Sequence, residues 1–205
     1  VLGRVMAMTP YYDWDGITIY HGDCREILPT LEPVDLVVTS PPYDNIRDYE
    51  GYAFDWRTTL KLLTESLNPG AVIMWNVADQ TINGSETGTS FRQALFAMDE
   101  CGLRLHDTMI YAKESVTFPD SNRYHPCFEY MFVFSRGTPT TFNGLKDRKN
   151  IHAGSKIHST DRQPDGSTKL KVNDGGIIQE YGLRLNWWVM SNPYTGEHDH
   201  PAPMP

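Results

Sequence analysis

The chain has 205 residues with 26 acidic against 18 basic side chains, a formal charge of −8, which is enough to bury one good core with at most a modest appendage. The acidic balance weighs against a dedicated nucleic-acid coat but leaves room for an enzyme that handles DNA briefly. Three widely spaced cysteines, Cys24, Cys101 and Cys127, form no Cys-x-x-Cys pair, which argues against a disulfide framework or structural zinc and fits a reducing, cytoplasmic setting; no apolar run reaches membrane-spanning length, residues 1–9 lack the apolar core of a signal peptide, and no internal repeat is visible.

In chain order, Ile17-Thr18-Ile19-Tyr20 alternates in polarity and reads as a strand running into His21-Gly22-Asp23-Cys24. Residues 25–31 read as a short helix with Asp23 as its N-cap. Next comes Asp35-Leu36-Val37-Val38-Thr39-Ser40-Pro41-Pro42-Tyr43. Its β-branched run reads as a buried strand of a parallel sheet, the two parts making one right-handed βαβ unit. Proline has no N–H to give to a ladder, so the strand stops at Ser40 and leaves a stiff, extended lip. Ligands of open α/β sheets bind at such carboxyl ends. The carbonyls of Ser40 and Pro41 can accept hydrogen bonds there, and the Tyr43 ring can stack on a planar heterocycle.

Residues 44–55 read as a loop over that rim, with Arg47 either meeting a phosphate or lying on the surface. Trp56, Leu60, Leu63 and Leu67 recur at helical spacing, and Asn68-Pro69-Gly70 is expected to stop that helix. Residues 71–75 read as the next buried strand, residues 79–88 as a polar loop on the same rim, and Thr89 or Ser90 as the cap of a helix with Phe91, Ala94, Leu95, Met98 and Cys101 facing the core. Residues 103–113 and 127–135 read as strands, the second containing Phe128-Glu129-Tyr130. His125 between them has a general-base and a structural reading, and the structural one is preferred. From residue 138 the periodicity disappears. Lys146, Arg148, Lys149, Lys156, Arg162, Lys169 and Lys171 face only Asp147, Asp161 and Asp165 in residues 146–171, a local surplus of +4 in a chain of total charge −8. A basic, irregular insert of this kind suits phosphate contacts or forms an ordinary solvated loop. Residues 182–190, with Trp187 and Trp188, are expected to fold back on the core. The acids and histidines of Glu197-His198-Asp199-His200 match no common metal-ligand spacing.

Ser40-Pro41-Pro42-Tyr43 resembles the catalytic tetrapeptide, Asp/Asn/Ser-Pro-Pro-aromatic, of DNA amino-methyltransferases that act on cytosine N4 or adenine N6. The Phe128-Glu129-Tyr130 strand resembles the closing antiparallel hairpin of that family's sheet, and His200-Pro201-Ala202-Pro203-Met204-Pro205 resembles its His-Pro-Ala-Pro-Phe-Pro element. The resemblance implies an α/β, Rossmann-like methyltransferase sheet in the β-type motif order. Its divisions would be a catalytic half over residues 11–137, a target-recognition segment over 138–197, and the start of a cofactor-binding element over 198–205. It implies S-adenosylmethionine as cofactor, held by Asp23, Cys24, His200 and Pro201, and double-stranded DNA as partner, met by Arg47, Lys146, Arg148, Lys149, Lys156 and Arg162. It requires no metal and no membrane, and leaves a homodimer and a paired restriction nuclease open. The base would be flipped from the duplex, stacked on Tyr43 and held by Ser40 and Pro41 while its amino nitrogen takes the methyl group, with Pro42 keeping the lip rigid. Serine at the first position leans toward cytosine. A catalytically dead DNA-binding remnant, or an amino-methyltransferase for RNA or a protein glutamine, are the alternatives. No turn of the type Asp-Pro-Phe-x-Gly-Ser-Gly is present. The expectation is therefore of an incomplete sheet lacking its central cofactor strands, a fragment with little activity alone, and a first βα unit without neighbours.

Overall fold

A computed structural model describes residues 8–44, 53–114 and 121–190. The chain divides into two units, Val1–Thr140 with Asn186–Pro205, and Thr141–Leu185. In the first unit, β1 (Tyr12–Trp14) and β2 (Ile17–Ile19) pair antiparallel across Asp15 and Gly16, whose φ values are 51° and 77°. Asp-Gly favours this double positive-φ turn, whose twist matches that of the flanking strands. The pairing corrects the expected βαβ unit. β2 is committed to β1 in its own two-stranded sheet and does not join the sheet that carries the strand before Ser40.

Asp23 does cap the following helix, α1 (Cys24–Ile27), its Oδ1 accepting from the Arg25 amide at 2.9 Å. The helix is shorter than expected because Pro29 has no N–H for the next helical bond; a 3-10 turn, Leu28–Thr30, continues it. β3 (Val34–Thr39) then runs to Ser40. α2 (Trp56–Glu65) starts at Asp55, whose Oδ1 accepts from the Thr58 amide at 3.1 Å. It ends at Ser66, which bonds back to the Leu62 carbonyl through both its amide and its hydroxyl. Asn68-Pro69-Gly70 is thus not the stop. It lies inside β4 (Leu67–Val77), with Gly70 at φ 84°.

β5 (Thr81–Ile82) and β6 (Ser85–Glu86) form a second small hairpin across Asn83-Gly84. α3 (Thr89–Asp99) follows, then β7 (Arg104–Lys113) and β8 (Phe128–Ser135). The Thr141–Leu185 unit contains β9 (Arg148–Lys149), β10 (Thr160–Arg162), β11 (Thr168–Leu170) and β12 (Tyr181–Gly182), in which β9 pairs with β12 and β10 with β11, all antiparallel. The chain returns to the first unit as β13 (Trp187–Met190), parallel to β7, so of the expected stretch 182–190 the part from Asn186 folds back, while residues 182–185 stay with the second unit.

The main sheet has the order β13-β7-β8-β4-β3. β3 is parallel to β4, while β8 is antiparallel to both β4 and β7, the expected closing hairpin. Leu60 and Leu63 of α2, Ala94, Phe96 and Ala97 of α3, Ile73, Trp75 and Val77 of β4, and Phe132 and Phe134 of β8 form the core. Two expectations about burial are corrected. β3 is an edge strand; Val37 packs on the core, but Leu36 and Val38 are each 60 % exposed. The inward face of α3 is also rotated from the expected stripe. Ser90, Gln93, Ala94 and Ala97 face in, leaving Phe91 51 % and Leu95 53 % exposed. Its buried polar groups are partly satisfied: Trp75 Nε1 donates to Gln93 Oε1 at 2.7 Å and Ser90 Oγ donates to Asp79 Oδ2 at 2.5 Å, while Gln93 Nε2 has no partner among the described residues. Among the described residues, no helix is long and apolar enough to cross a membrane.

Candidate active site at the rim of the sheet

The parallel strands β3, β4 and β7 end on one rim, and antiparallel β8 begins there. Ser40 follows the last residue of β3, Asn76 is next to last in β4, Lys113 closes β7, and Glu129 is second in β8. Asn76 pairs with Met131 and Tyr111 with Glu129. Strand side chains alternate between faces, so Asn76, Tyr111, Lys113 and Glu129 share one face, and Trp75 and Phe132 share the other.

A polar network occupies the first face. The Tyr43 hydroxyl lies 2.5 Å from Ser40 Oγ and donates to Glu129 Oε2 at 2.9 Å. Asn76 Nδ2 donates to the Tyr43 oxygen and to Glu129 Oε2, both at 2.5 Å. Lys113 Nζ pairs with the other carboxylate oxygen, Glu129 Oε1, at 2.5 Å. Glu129 and Asn76 are buried, and the Tyr43 ring packs against the core. Burial, and secondarily the Glu129 carboxylate, hold the Tyr43 phenol far above its ordinary pKa, so it stays protonated. The same two causes, in the same order, raise Tyr111.

Behind the network, Asp44 adopts φ 44° and accepts from Thr87 Oγ1 at 2.7 Å and Thr89 Oγ1 at 2.6 Å. The chain just past Tyr43 is thereby tied to the loop leading into α3.

In front of it, Ser40, Pro41 and Pro42 line a cavity of about 300 Å³ with Cys24, Leu28, Val37 and Phe54. A second cavity of about 480 Å³ shares Cys24, Pro42 and Phe54 and adds Gly22 and Asp23. The Arg25 side chain and amide beside Asp23 pull its carboxyl down to about 2, so it is an anion throughout the working range. A permanent acceptor beside a largely apolar cavity suits a nucleoside, which offers hydroxyl donors and a flat ring.

Of the residues singled out from sequence, the structure brings Ser40, Pro41, Pro42, Asp23 and Cys24 around these two cavities. Tyr43 lines neither cavity: it follows Pro42 with its ring packed against the core and its hydroxyl in the inner network. Lys146, Arg148, Lys149, Lys156 and Arg162 are exposed in the Thr141–Leu185 unit, where Arg148 Nε also donates to the Leu183 carbonyl at 3.0 Å. His125 is exposed. Arg47, His200 and Pro201 lie outside the described residues. Glu129, Lys113 and Asn76 were not singled out as site residues from sequence. The one available signal was Glu129, an acid inside an otherwise apolar strand, a type seldom buried unless paired.

The family model described as "DNA methylase" matches residues 34–205. The chain is 44% identical over 192 residues to an orphan methyltransferase of Bacillus amyloliquefaciens, M.BamHII, covering 90% of this chain and 69% of that protein. It is 27% identical over 158 residues to a type II beta methyltransferase, M.BslI, of Bacillus sp. strain NEB-606, covering 62% of this chain and 17% of that one. Among solved structures, the PvuII cytosine-N4-specific DNA methyltransferase has a similar fold, with a TM-score of 0.62 at 17% identity over 96% of this chain and 68% of that one.

Proposed function

Because this chain belongs to the N6/N4 DNA methylase family, we propose that Ser40, Pro41, Pro42 and Tyr43 form the place where an exocyclic amino nitrogen of DNA is methylated. S-adenosylmethionine, the cofactor of the family, supplies a methyl group on a sulfonium sulfur when bound. One observation carries the reading. Ser40 and both prolines line a cavity at the carboxyl end of β3 together with Cys24, and the ionised Asp23 lines the cavity adjoining it.

In this reading the target base is flipped out, because its amino group is unreachable within the stack. The Ser40 hydroxyl and the Pro41 carbonyl accept from the two amino N–H groups. That draws the nitrogen toward tetrahedral geometry and frees its lone pair for in-line attack. Pro41 and Pro42 fix the direction of these acceptors, so little reorganisation is needed at the moment of reaction. The Tyr43 ring stacks on the base. Asp23 and Cys24 face the adenosyl part of the cofactor, with Asp23 accepting from ribose hydroxyls.

Residues 11–137 then act as the catalytic half, 138–197 as the target-recognition segment and 198–205 as the start of the cofactor element. The exposed lysines and arginines of the second unit support phosphate contact by that segment. The open edge of β3, with Leu36 and Val38 exposed, supports pairing of further strands of a cofactor half along it. Serine at position 40 favours cytosine N4 over adenine N6.

The test is to incubate the protein with genomic DNA and S-adenosylmethionine carrying a deuterated methyl group, digest to nucleosides and weigh them. The label is expected on N4 of cytosine, or failing that N6 of adenine. Label on ring carbon C5, or none, would contradict the proposal.

A further inference from the structure

A phenol has one proton to donate and an oxygen that can accept twice. In Tyr43 the proton goes to Glu129 Oε2 at 2.9 Å, because an ionised carboxylate can only accept. The Asn76 amide is oriented by the same carboxylate. Its Nδ2 donates there and to the Tyr43 oxygen, both at 2.5 Å, whereas a reversed amide would set oxygen against oxygen. Lys113 holds the second carboxylate oxygen at 2.5 Å and keeps this buried acid aimed. With the Tyr43 proton already placed, the 2.5 Å contact between Tyr43 and Ser40 has only one possible donor, the Ser40 hydroxyl. The Ser40 proton therefore points inward. What remains on the cavity side of Ser40 is lone pairs.

We infer that Glu129, acting through Tyr43, sets the polarity of Ser40, so that Ser40 meets the target base as an acceptor only. Glu129, Lys113 and Asn76 are then positioning residues. The hydroxyl of Tyr43 has a task separate from the stacking of its ring. The consequence is chemical selectivity. An amino group donates and is received; the carbonyl of a deaminated base finds an acceptor facing it and is rejected, since such a mismatch leaves polar groups unpaired. The inference rests on the proposed placement of the base against Ser40.

Three variants of the full chain test it, with genomic DNA as substrate. Tyr43→Phe keeps the stacking ring and frees the Ser40 rotor; kcat is expected to fall about tenfold, the worth of one oriented hydrogen bond, with KM for DNA unchanged. Glu129→Gln goes further. Lys113 claims the new amide's oxygen, its NH₂ turns to Tyr43, and Tyr43 passes its proton to Ser40, reversing the polarity. Adding Lys113→Met lets that amide turn over and restores activity above the Glu129→Gln level. A purely structural role predicts a double variant no better than the single. Once the methylated site is mapped, duplexes with uracil for cytosine, or hypoxanthine for adenine, at the target should bind roughly tenfold more weakly than the normal duplex to the parent protein, but equally well to Glu129→Gln.

Unchanged kcat in Tyr43→Phe, or a Glu129→Gln defect that Lys113→Met deepens, would overturn the inference while leaving the methyltransferase reading in place. If the parent protein methylates no base, that reading fails, and the hydrogen-bond polarity is judged by unfolding alone. Ser40→Ala and Tyr43→Phe should then depart from additivity by roughly threefold or more in the unfolding constant. Additive effects would overturn it.

Discussion

Replacing Asp79 by alanine is expected to destabilise the first unit by about 2–3 kcal/mol. The N-cap residue of α3 is Gly88, which has no side chain to receive the first helical amides. Asp79 receives one of them from outside the helix, accepting from the Ser90 amide at 2.9 Å and from the Ser90 hydroxyl at 2.5 Å, with Thr87 Oγ1 at 3.3 Å. Losing a cap costs about 1 kcal/mol. Ser90 is fully buried, so its hydroxyl would lose its partner where water cannot replace it, adding roughly 1–2 kcal/mol. For a chain of this size the melting temperature should drop by roughly 5–10 °C. Thermal and urea unfolding of Asp79→Ala, Ser90→Ala and the double variant would separate the terms. The double variant removes the orphaned hydroxyl along with its acceptor, so it should be about 1 kcal/mol more stable than the sum of the singles predicts. Additivity within about 0.5 kcal/mol, or a loss below that for Asp79→Ala, would refute the capping argument.

Asp23 gives a pH dependence. Its carboxyl is lowered from 3.8 to about 2 in the fold, so its stabilising contribution is complete above pH 4 and fades as pH falls toward 2. Asp23→Asn should flatten the fall of the urea midpoint across that window; an unchanged slope would exclude it. In the Thr141–Leu185 unit, Lys149→Gln and Lys156→Gln should each lower the slope of log affinity against log salt by about 0.9 if they meet duplex phosphates. A slope that stays put removes those two residues from the contact. On the open edge of β3, Leu36→Thr with Val38→Lys should reduce light scattering of the concentrated protein while leaving its melting curve in place. Lost cooperativity would show that these side chains are part of the core.

The parts of the fold readable from sequence were those decided locally. The apolar run before Ser40 and its proline stop define β3 and its end. The spacing of Trp56, Leu60 and Leu63 defines α2, and Asp23 caps α1 as its position predicts. The two small hairpins also carry a local signal, the turn pairs Asp15-Gly16 and Asn83-Gly84. The rotated face of α3 was not local. Gln93 is buried because Trp75, 18 residues earlier, offers an indole N–H. The same holds for the inner half of the site. Glu129 is aimed by Lys113, Asn76 and Tyr43, which lie 16, 53 and 86 residues away in sequence and meet only because β4, β7 and β8 bring their ends to one rim. Spacing along the chain locates the lip; only the sheet order locates what holds it.

The most direct test of the central claim is a structure of the protein on its methylated site, with the cofactor product bound. The account predicts a target base outside the duplex, its ring lying on Tyr43 and its exocyclic nitrogen within roughly 2.7–3.2 Å of both Ser40 Oγ and the Pro41 carbonyl. A flipped base held elsewhere, or one presenting a carbonyl to Ser40, would contradict it.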